Sequence, residues 1–286
     1  DVVRVSSARG NLLAKASVPT PPIVDAAGFA AVTEAIDQVV AKARIPRAFV
    51  AGIGLAVPCP IPASGDAKVK ANIAISLPEL RIAIQKHCPD AVVKYENDAN
   101  AAAMGEAWLG SAKGVQNVVM VTIGTGVGAG VLSGSKLVHG MMHPEAGHIL
   151  VTRDPRDTIG EHSACPFHDN CLEGLIAGPG VKKRWDGKSA GDMADDPEAM
   201  DLLAGYLAQA LMTYTLCYAP QKIIIGGGVA DHTPIVPLAR KKCAEMLNGY
   251  IVTPEVNDID NYIVNNSLEG KQGIMGCLAL GAQALQ

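Results

Sequence analysis

Apolar residues recur along this chain with two different spacings, which predict helices and strands in turn. Intervals of three and four residues run through FAAVTEAIDQVVAKA (29–43) and DLLAGYLAQALMTYTLCYAP (201–220) and indicate helices. Short continuous apolar runs such as AFVAGIGLAV (48–57) and NVVMVTIG (117–124) are typical of buried strands that end in glycine or proline. Since strands alternate with helices in both halves, the pattern predicts an α/β protein.

The same pattern predicts two lobes. We expect the first over residues 1–112 and the second over 113–271, followed by a closing helix at about 272–286 with small residues on one side. The chain opens at Asp1 in a predicted strand, followed by a turn at Ala8-Arg9-Gly10. We therefore expect that an earlier strand precedes Asp1.

Composition narrows the class of protein. Of the 286 residues, 49% are hydrophobic and 18% charged, and the formal net charge of −4 argues against nucleic acid as a partner. No apolar run reaches the ~18 residues that would suggest a membrane span. Seven scattered cysteines indicate reduced thiols in a cytoplasmic protein rather than a disulfide framework.

Two glycine-rich stretches are candidate phosphate-binding loops. In IGTGVGAG (123–130) strand-like sequence lies on both sides, which predicts a hairpin rather than the strand–helix junction of a dinucleotide-binding fold. Backbone N–H groups of Gly124, Thr125 and Gly126 can cradle an anion there, although a tight packing turn explains the same pattern. Gly226, Gly227 and Gly228 stand between a strand and a helix, and either leave room for a flat group such as adenine or form a plain turn.

Asn97 and Asp98 stand where a short strand meets a helix. Both residue types are common helix caps, and capping alone explains them. The end of a buried strand is also where α/β proteins present ligands, and the helix N-terminus favours an ionised carboxylate. Asp98 is therefore a candidate general base for a hydroxyl that attacks a phosphoryl group, and Asn97 a candidate contact to the same polyol.

A cluster of soft ligands predicts a metal site. Cys165, His168 and Cys171 are spaced for a tight loop around one zinc ion. A fourth ligand is needed, and His148, 17 residues upstream at the predicted start of a strand, is the best candidate, with His143 and His162 as rivals. Four protein ligands would close the site, so its predicted role is structural. The zinc-finger interpretation fails because no basic helix follows.

Five motifs occur in an order that resembles the ROK family of sugar kinases and repressors. They are ENDANAAAMGEAWLGSAKG (96–114), VTIGTGVGAGVL (121–132), HPEAGHI (143–149), CPFHDNCLEGLIAGPG (165–180) and IIIGGGV (223–229). The resemblance covers essentially the whole chain. RDPRDT (153–158) and the segments around His148 and Cys171 look most like the bacterial fructokinase branch.

The resemblance implies a two-lobed, actin-like (ribonuclease H-like) ATPase fold with a small zinc-binding loop at 143–174, whose last helix returns to the first lobe. It implies ATP-dependent phosphorylation of a hexose, most simply fructose to fructose 6-phosphate, with Mg²⁺ bound to ATP, by a homodimer. By the same analogy Asp98 is the catalytic base, and the sugar contacts are Asn97, Glu145, His148 and Glu173. Zn²⁺ would be held by His148, Cys165, His168 and Cys171, so that His148 serves both sites: the metal fixes one ring nitrogen and the other faces the sugar.

Two departures from the family pattern keep other functions open. The family's Asp-x-Gly-Gly-Thr-Lys hairpin is expected ahead of Asp1, and Pro58-Cys59-Pro60 stands where the family usually has Pro-Gly-Pro. The alternatives are a glucose or mannose kinase of the same family, a sugar-sensing repressor, and a sugar-binding protein without catalysis.

Overall fold

The computed structural model describes residues 2–7, 11–19, 23–61 and 75–284. The chain divides into two compact units: unit 1 comprises residues 1–109, 139–143 and 271–286, and unit 2 comprises 110–138 and 144–270. The predicted turn at Ala8-Arg9-Gly10 and the expectation concerning Asp1 lie outside the described residues. Both units combine strands with helices, which confirms the predicted α/β class.

The described residues of unit 1 form two two-stranded sheets and three helices before residue 110. Its elements are β1 (Val2–Ser6), β2 (Leu12–Ser17), α1 (Ala26–Ala43), β3 (Gly52–Val57), α2 (Leu77–His87), β4 (Val92–Asn97) and α3 (Asp98–Leu109). Strands β1 and β2 pair antiparallel, whereas β3 and β4 pair parallel. The parallel pair aligns Val57 with Asn97, so the chain leaves both strands at the same edge.

Unit 2 is built on one five-stranded mixed sheet. Its elements are β5 (Val118–Ile123), β6 (Val127–Ser133), β7 (Lys136–Leu137), α4 (Leu172–Ile176), α5 (Gly178–Arg184), α6 (Pro197–Tyr218), β8 (Lys222–Gly226), α7 (Gly228–Asp231), α8 (Ile235–Leu247), α9 (Pro254–Asn257), α10 (Ile259–Tyr262) and β9 (Ile263–Asn265). The strand order is β7-β6-β5-β8-β9. Strands β5, β8 and β9 run parallel, and β6 and β7 continue the sheet antiparallel.

The central strands β5 and β8 are continuous apolar runs in the sequence because both of their faces are buried. Val118–Val121 of β5 and Ile223–Ile225 of β8 are fully buried, as expected for neighbouring strands covered on both faces. The long helix α6 starts four residues earlier than its apolar pattern predicts, at Pro197. Asp196 caps it by accepting from the N–H groups of Glu198 and Ala199, and proline suits the first helical position because its missing N–H is not needed there.

The last helix, α11 (Gln272–Gln283), belongs to unit 1 and packs its small residues against α3 and β3. A Cβ at Gly276 would lie 1.7 Å from the carbonyl oxygen of Ala101, and one at Gly54 would lie 2.0 Å from that of Cys277. Only glycine permits backbones to approach so closely. The predicted closing helix with a small-residue face is confirmed.

Unit 1 contains an apolar cavity of about 710 Å³. It is lined by residues of β1, β3, α1 and α11. Because a cavity forfeits packing contacts, it lowers the stability of unit 1 relative to a filled core. Within the part of the chain that the structure describes, no helix has the length and apolar character to cross a bilayer.

We expect Gly276→Ala to lower the free energy of unfolding by about 1–3 kcal/mol, because its methyl group must displace the backbone of α3. Denaturant titration measures the change. Gly273→Ala is the matched control on the same helix: nothing lies within 4 Å of the added methyl group, so stability should stay level or rise. Equal stability of Gly276→Ala and the wild type would contradict the proposed packing.

Candidate active site and metal centre

At the junction of β4 and α3, Asn97 is the helix cap and Asp98 is the residue exposed to solvent. The buried Asn97 side chain caps α3, since its Oδ1 accepts from the N–H groups of Ala99 at 2.9 Å and Asn100 at 3.4 Å. Asp98 is exposed, and its Oδ1 accepts from the N–H of Ala99 at 2.9 Å. Asp98 therefore presents a carboxylate at the start of a helix, where the macrodipole favours the charged form.

The loop that departs from the family pattern lies beside this junction. The carbonyl oxygen of Cys59 accepts from Asn97 Nδ2 at 3.5 Å. Burial raises the pKa of the Cys59 thiol, and the negative charge of Asp98 raises it further. The Pro58-Cys59-Pro60 segment is thus an immediate neighbour of the candidate base.

Both glycine loops lie at one edge of the unit 2 sheet. Because β5 pairs in parallel with β8, with Thr122 opposite Gly226, the chain leaves both strands at the same edge, the usual place for ligands in α/β sheets. The turn at Gly124–Gly126 connects β5 to β6. Gly227 has a φ of 98°, and a Cβ there would lie 2.6 Å from the carbonyl oxygen of Ile123, so only glycine fits.

Glu173, in the first turn of α4, attaches the hairpin turn to the metal-ligand cluster. Its Oε2 accepts from the N–H of Val127 at 2.9 Å. A Cβ at Gly126 would lie 2.7 Å from the same oxygen. Its Oε1 lies 3.8 Å from Nε2 of His148. One carboxylate therefore faces the candidate phosphate turn on one side and a candidate zinc ligand on the other.

Four side chains converge as the sequence predicts for a metal centre: His148, Cys165, His168 and Cys171, whose ligand atoms all lie within 4.8 Å of one another. The Sγ of Cys165 lies 3.8 Å from Nδ1 of His148 and 3.6 Å from Nδ1 of His168. Zinc bonds of 2.3 Å to sulfur and 2.0–2.1 Å to nitrogen, at tetrahedral angles, place such atoms about 3.6 Å apart. The donor set and its spacing fit zinc.

His148 directs its two ring nitrogens to different neighbours. Nδ1 faces the Sγ atoms of Cys165 and Cys171, at 3.8 and 3.7 Å, while Nε2 faces Glu173. The predicted start of a strand at His148 is wrong: Ala146–His148 forms a 3₁₀ turn, closed by a bond from the N–H of His148 to the carbonyl oxygen of Glu145. Glu145 itself is exposed at the start of this turn.

The thiol of Cys171 needs a nearby cation to ionise. Burial raises the pKa of the Cys171 thiol to about 12, and Cys165 and Glu173 nearby add to the rise. A bound metal ion would deprotonate such a thiol. The two rival histidines lie elsewhere among the described residues, since Nδ1 of His162 contacts Asp169 at 2.9 Å and His143 is buried in unit 1.

A buried ion pair that sequence reasoning missed braces this region. Arg184, on α5, donates to both carboxylate oxygens of Asp157, at 2.7 and 2.9 Å, and to the carbonyl oxygen of Leu175 on α4. Burial alone would raise the pKa of Asp157, but hydrogen bonds from Arg184 and Tyr206 outweigh it and hold the pKa below its usual range. Asp157 belongs to RDPRDT, so the motif has a structural role here. Its partners are too distant in sequence to have revealed the pair.

Two further polar residues missed by sequence reasoning hold the second glycine loop. The side chain of Asp231 accepts from the N–H of Gly227 at 3.2 Å and from Nδ2 of Asn266 at 2.6 Å. Asn266 follows β9 directly, at the same edge as the glycine loops, and a Cβ at Gly226 would lie 2.6 Å from its Nδ2. The sequence alone gives no sign that Asn266 lies beside this loop, because their closeness depends on the parallel pairing of β8 and β9.

Comparison with known proteins gives a consistent result. The sequence profile of the ROK family matches residues 2–284. A fructokinase of Pediococcus pentosaceus is 44% identical over 192 residues, which cover 67% of this chain and 65% of that protein. The solved structure of a ROK hexokinase from Thermus thermophilus is similar with a TM-score of 0.77 and 23% identity, covering 99% of this chain and 98% of its own.

A ROK family transcriptional regulator, a homologue of the E. coli MLC protein, is equally similar in fold. Its TM-score is 0.78 at 21% identity, over 99% of this chain and 75% of its own. At these identities the two solved structures show the fold alone. The chain spans less than two thirds of the first curated relatives that it matches, at 64%, 65% and 64% of their lengths.

We expect Asp157→Ala to lower the free energy of unfolding by about 3–5 kcal/mol, because it leaves the buried Arg184 without its counter-charge. Chemical denaturation checks the value. Asp260→Ala is the matched control, since Asp260 is 78% exposed in its pair with Arg240, and its loss should cost no more than about 1 kcal/mol. Similar losses of stability in the two variants would show that the buried pair of Asp157 and Arg184 stabilises the fold no more than an exposed ion pair does.

Proposed function

Since the chain belongs to the ROK family, we propose that it is an ATP-dependent hexose kinase that converts fructose to fructose 6-phosphate. The observation that carries the proposal is the exposed carboxylate of Asp98 at the junction of β4 and α3, beside a side chain that already caps the helix. The choice of fructose is supported by the 44% identity to a fructokinase.

Asp98 acts as the general base in this proposal. It accepts the proton of the sugar hydroxyl as that oxygen attacks the γ-phosphoryl group of ATP. A cap alone does not explain Asp98, because the side chain of Asn97 already accepts from the N–H groups of Ala99 and Asn100. For Asn97 we propose a sugar contact through its Nδ2, whose bond to the carbonyl oxygen of Cys59 is long, at 3.5 Å.

Glu145, His148 and Glu173 bind sugar hydroxyls in this proposal. Glu145 is exposed, and His148 and Glu173 are partly exposed with 27% of each side chain accessible, so all three can reach a solute. Carboxylates accept from hydroxyls, and an imidazole N–H donates to them. A set that both donates and accepts suits a polyol better than an anion.

The two glycine turns hold ATP. The N–H of Gly124 donates to the carbonyl oxygen of Gly126 at 2.9 Å and closes the turn, so in this proposal the N–H groups of Thr125 and Gly126 face the phosphates. Gly226, Gly227 and Gly228 leave a side-chain-free surface for the nucleoside. Support comes from their common position at the carboxyl edge of β5 and β8. Mg²⁺ enters with ATP, and its charge offsets that of the phosphates during transfer.

We propose that His148, Cys165, His168 and Cys171 bind one structural Zn²⁺. Bound zinc would keep both thiols ionised and fix the ring of His148 through Nδ1. The ring then carries its remaining N–H on Nε2, the atom that faces Glu173. This arrangement lets one histidine serve the metal and the sugar.

Glucose or mannose kinase, sugar-sensing repressor and non-catalytic sugar-binding protein are the alternatives. The fold does not separate a kinase from a repressor, because the regulator and the hexokinase are equally similar to this chain. The exposed Asp98 favours a kinase. We also propose a cytoplasmic homodimer: the seven free thiols suit a reducing compartment, and the dimer rests on the family resemblance.

We expect the wild type to release ADP fastest, at equal sugar concentration, with fructose rather than glucose or mannose. Asp98→Asn should lower kcat by about 10²–10⁴-fold, because it removes the proton acceptor while keeping the shape of the side chain. A coupled ADP-release assay measures both. Sugar binding by calorimetry should survive in the variant.

Each rival predicts a different result in that assay. Higher kcat/KM for glucose or mannose would replace the proposed substrate. Sugar binding without ADP release would favour the repressor or the non-catalytic protein. Retention of a tenth of wild-type kcat by Asp98→Asn would remove Asp98 from the role of base.

We expect about one zinc per chain by metal analysis, and its loss in Cys171→Ser, because the site has one set of four ligands. His148→Gln should lose zinc and raise KM for the sugar together. Glu145→Gln should raise KM and keep the zinc.

Cys217→Ser is the control for loss of a thiol, since Cys217 is exposed and outside the cluster. Full zinc content in His148→Gln, or zinc loss in Glu145→Gln, would reverse the assignments of these two residues.

A further inference from the structure

Glu96 is a buried carboxylate directly behind the strand–helix junction. Its side chain is 9% exposed, and three groups contact it. Oε1 accepts from the N–H of Asn97 at 2.8 Å and from Nδ2 of Asn100 at 3.0 Å, and Oε2 lies 3.0 Å from Nε2 of His139. A carboxylate in such a place must be compensated by hydrogen-bond donors, which these contacts supply.

His139 reaches Glu96 from a distant part of the chain. Residues 139–143 belong to unit 1, although the residues on both sides of them belong to unit 2. The contact between His139 and Glu96 therefore attaches this short segment to the end of β4. Among the described residues, the basic side chain that contacts Glu96 is this histidine rather than a lysine or arginine.

The side-chain amide of Asn100 is oriented by its contact with the Glu96 carboxylate. This side chain is fully buried, and its Nδ2 donates to Glu96. Its Oδ1 is left without a hydrogen-bond partner among the described residues. An unpaired buried oxygen is unfavourable, so the amide is oriented by the demand of Glu96 for a donor.

The geometry points to Glu96 and His139 as a positioning pair for Asp98, an inference that rests on the proposed role of Asp98 as general base. Glu96 holds the backbone of Asn97 and the first turn of α3 through Asn100, and Asp98 lies between these two points. His139 holds Glu96 in place through the contact at Oε2. Neither residue is proposed to touch the substrate.

Two substitutions that keep a polar side chain test the pair. Glu96→Gln removes the charge and keeps an acceptor, and His139→Gln keeps a donor and removes the possible positive charge. We expect each to lower kcat about 10- to 100-fold, because small misplacements of a reacting group are costly. Zinc content should stay unchanged, since its proposed ligands lie elsewhere. KM for fructose should rise less than kcat falls, because Asn97 is the sugar contact nearest to the pair and the other proposed contacts are untouched.

The pH dependence separates positioning of the base from a merely structural role. The ionisable groups around the junction include Glu96, His139, Asp98 and Cys59. Loss of the negative charge in Glu96→Gln should move the acid limb of kcat/KM to lower pH, and His139→Gln should move it to higher pH, each by about 0.5 unit. A simple loss of stability would not shift the limb in opposite directions.

Matched controls come from a second histidine–carboxylate pair in unit 1. Nε2 of His87 contacts Asp37 at 2.9 Å, in a pair on α2 and α1 away from the junction. Asp37→Asn and His87→Gln should leave kcat and its pH profile unchanged. The double variant Glu96→Gln/His139→Gln should lose no more activity than the more damaged single variant, because both act through one contact.

Asp98→Asn, measured in the same assay, separates the proposed role of Asp98 as base from the proposed role of Glu96 and His139 in positioning it. If Asp98→Asn is inactive while Glu96→Gln and His139→Gln keep wild-type kcat and acid limbs, the positioning pair is overturned and the base remains. If Asp98→Asn is active, the base and the role of the pair both fail. Equal losses in the control variants would also overturn the inference, since any pair in unit 1 would then have the same effect.

Discussion

The parallel pairing of β5 with β8 is the constraint on which the rest of unit 2 depends. It sets Thr122 opposite Gly226, so that two glycine loops far apart in sequence leave the sheet at one edge. Their closeness permits no side chain at Gly227, which lies under the carbonyl oxygen of Ile123. The bond from the N–H of Val127 to Glu173 then fixes α4, and with it the end of the cysteine–histidine cluster, to the first of these loops.

The buried charged side chains of unit 2 pair with each other and join separate segments, whereas the ionisable side chains of the candidate site are partly exposed to solvent. Asp157 and Arg184 are almost completely buried and satisfy each other with two bonds. A pair of this kind adds little net stability over apolar packing, but it tolerates few alternative arrangements. By contrast, His148 and Glu173 stay partly exposed and 3.8 Å apart, too far for a direct hydrogen bond. The separation leaves both groups with capacity for another partner.

What could be predicted from the sequence was local or periodic. Buried strands appear as apolar runs because both faces of the sheet are covered, and the Cys165–Cys171 spacing brings three ligands together within one loop. The strand assigned to His148 failed because small residues at 146 and 147 allow a tight turn that hydrophobic periodicity does not detect.

The contacts that escaped prediction join residues far apart along the chain. Nothing near Glu96 indicates His139, and nothing near Asp157 indicates Arg184, because such pairs depend on how the elements fold back on each other. Asn97 and Asp98 were ambiguous for a different reason: either residue can cap a helix. Which one faces solvent depends on whether α3 begins at residue 98 or one residue later.

The return of α11 to unit 1 has a consequence for the order in which the protein is made. Unit 2 is complete once residue 270 has been synthesised, but unit 1 still lacks the helix that packs on Ala101 and Gly54. At ordinary rates of translation, roughly 10 to 30 s separate residue 109 from residue 271. The earlier half of the chain therefore waits, with part of its apolar surface uncovered, while the later half is synthesised, and it becomes complete only after unit 2. This is the reverse of the usual vectorial order.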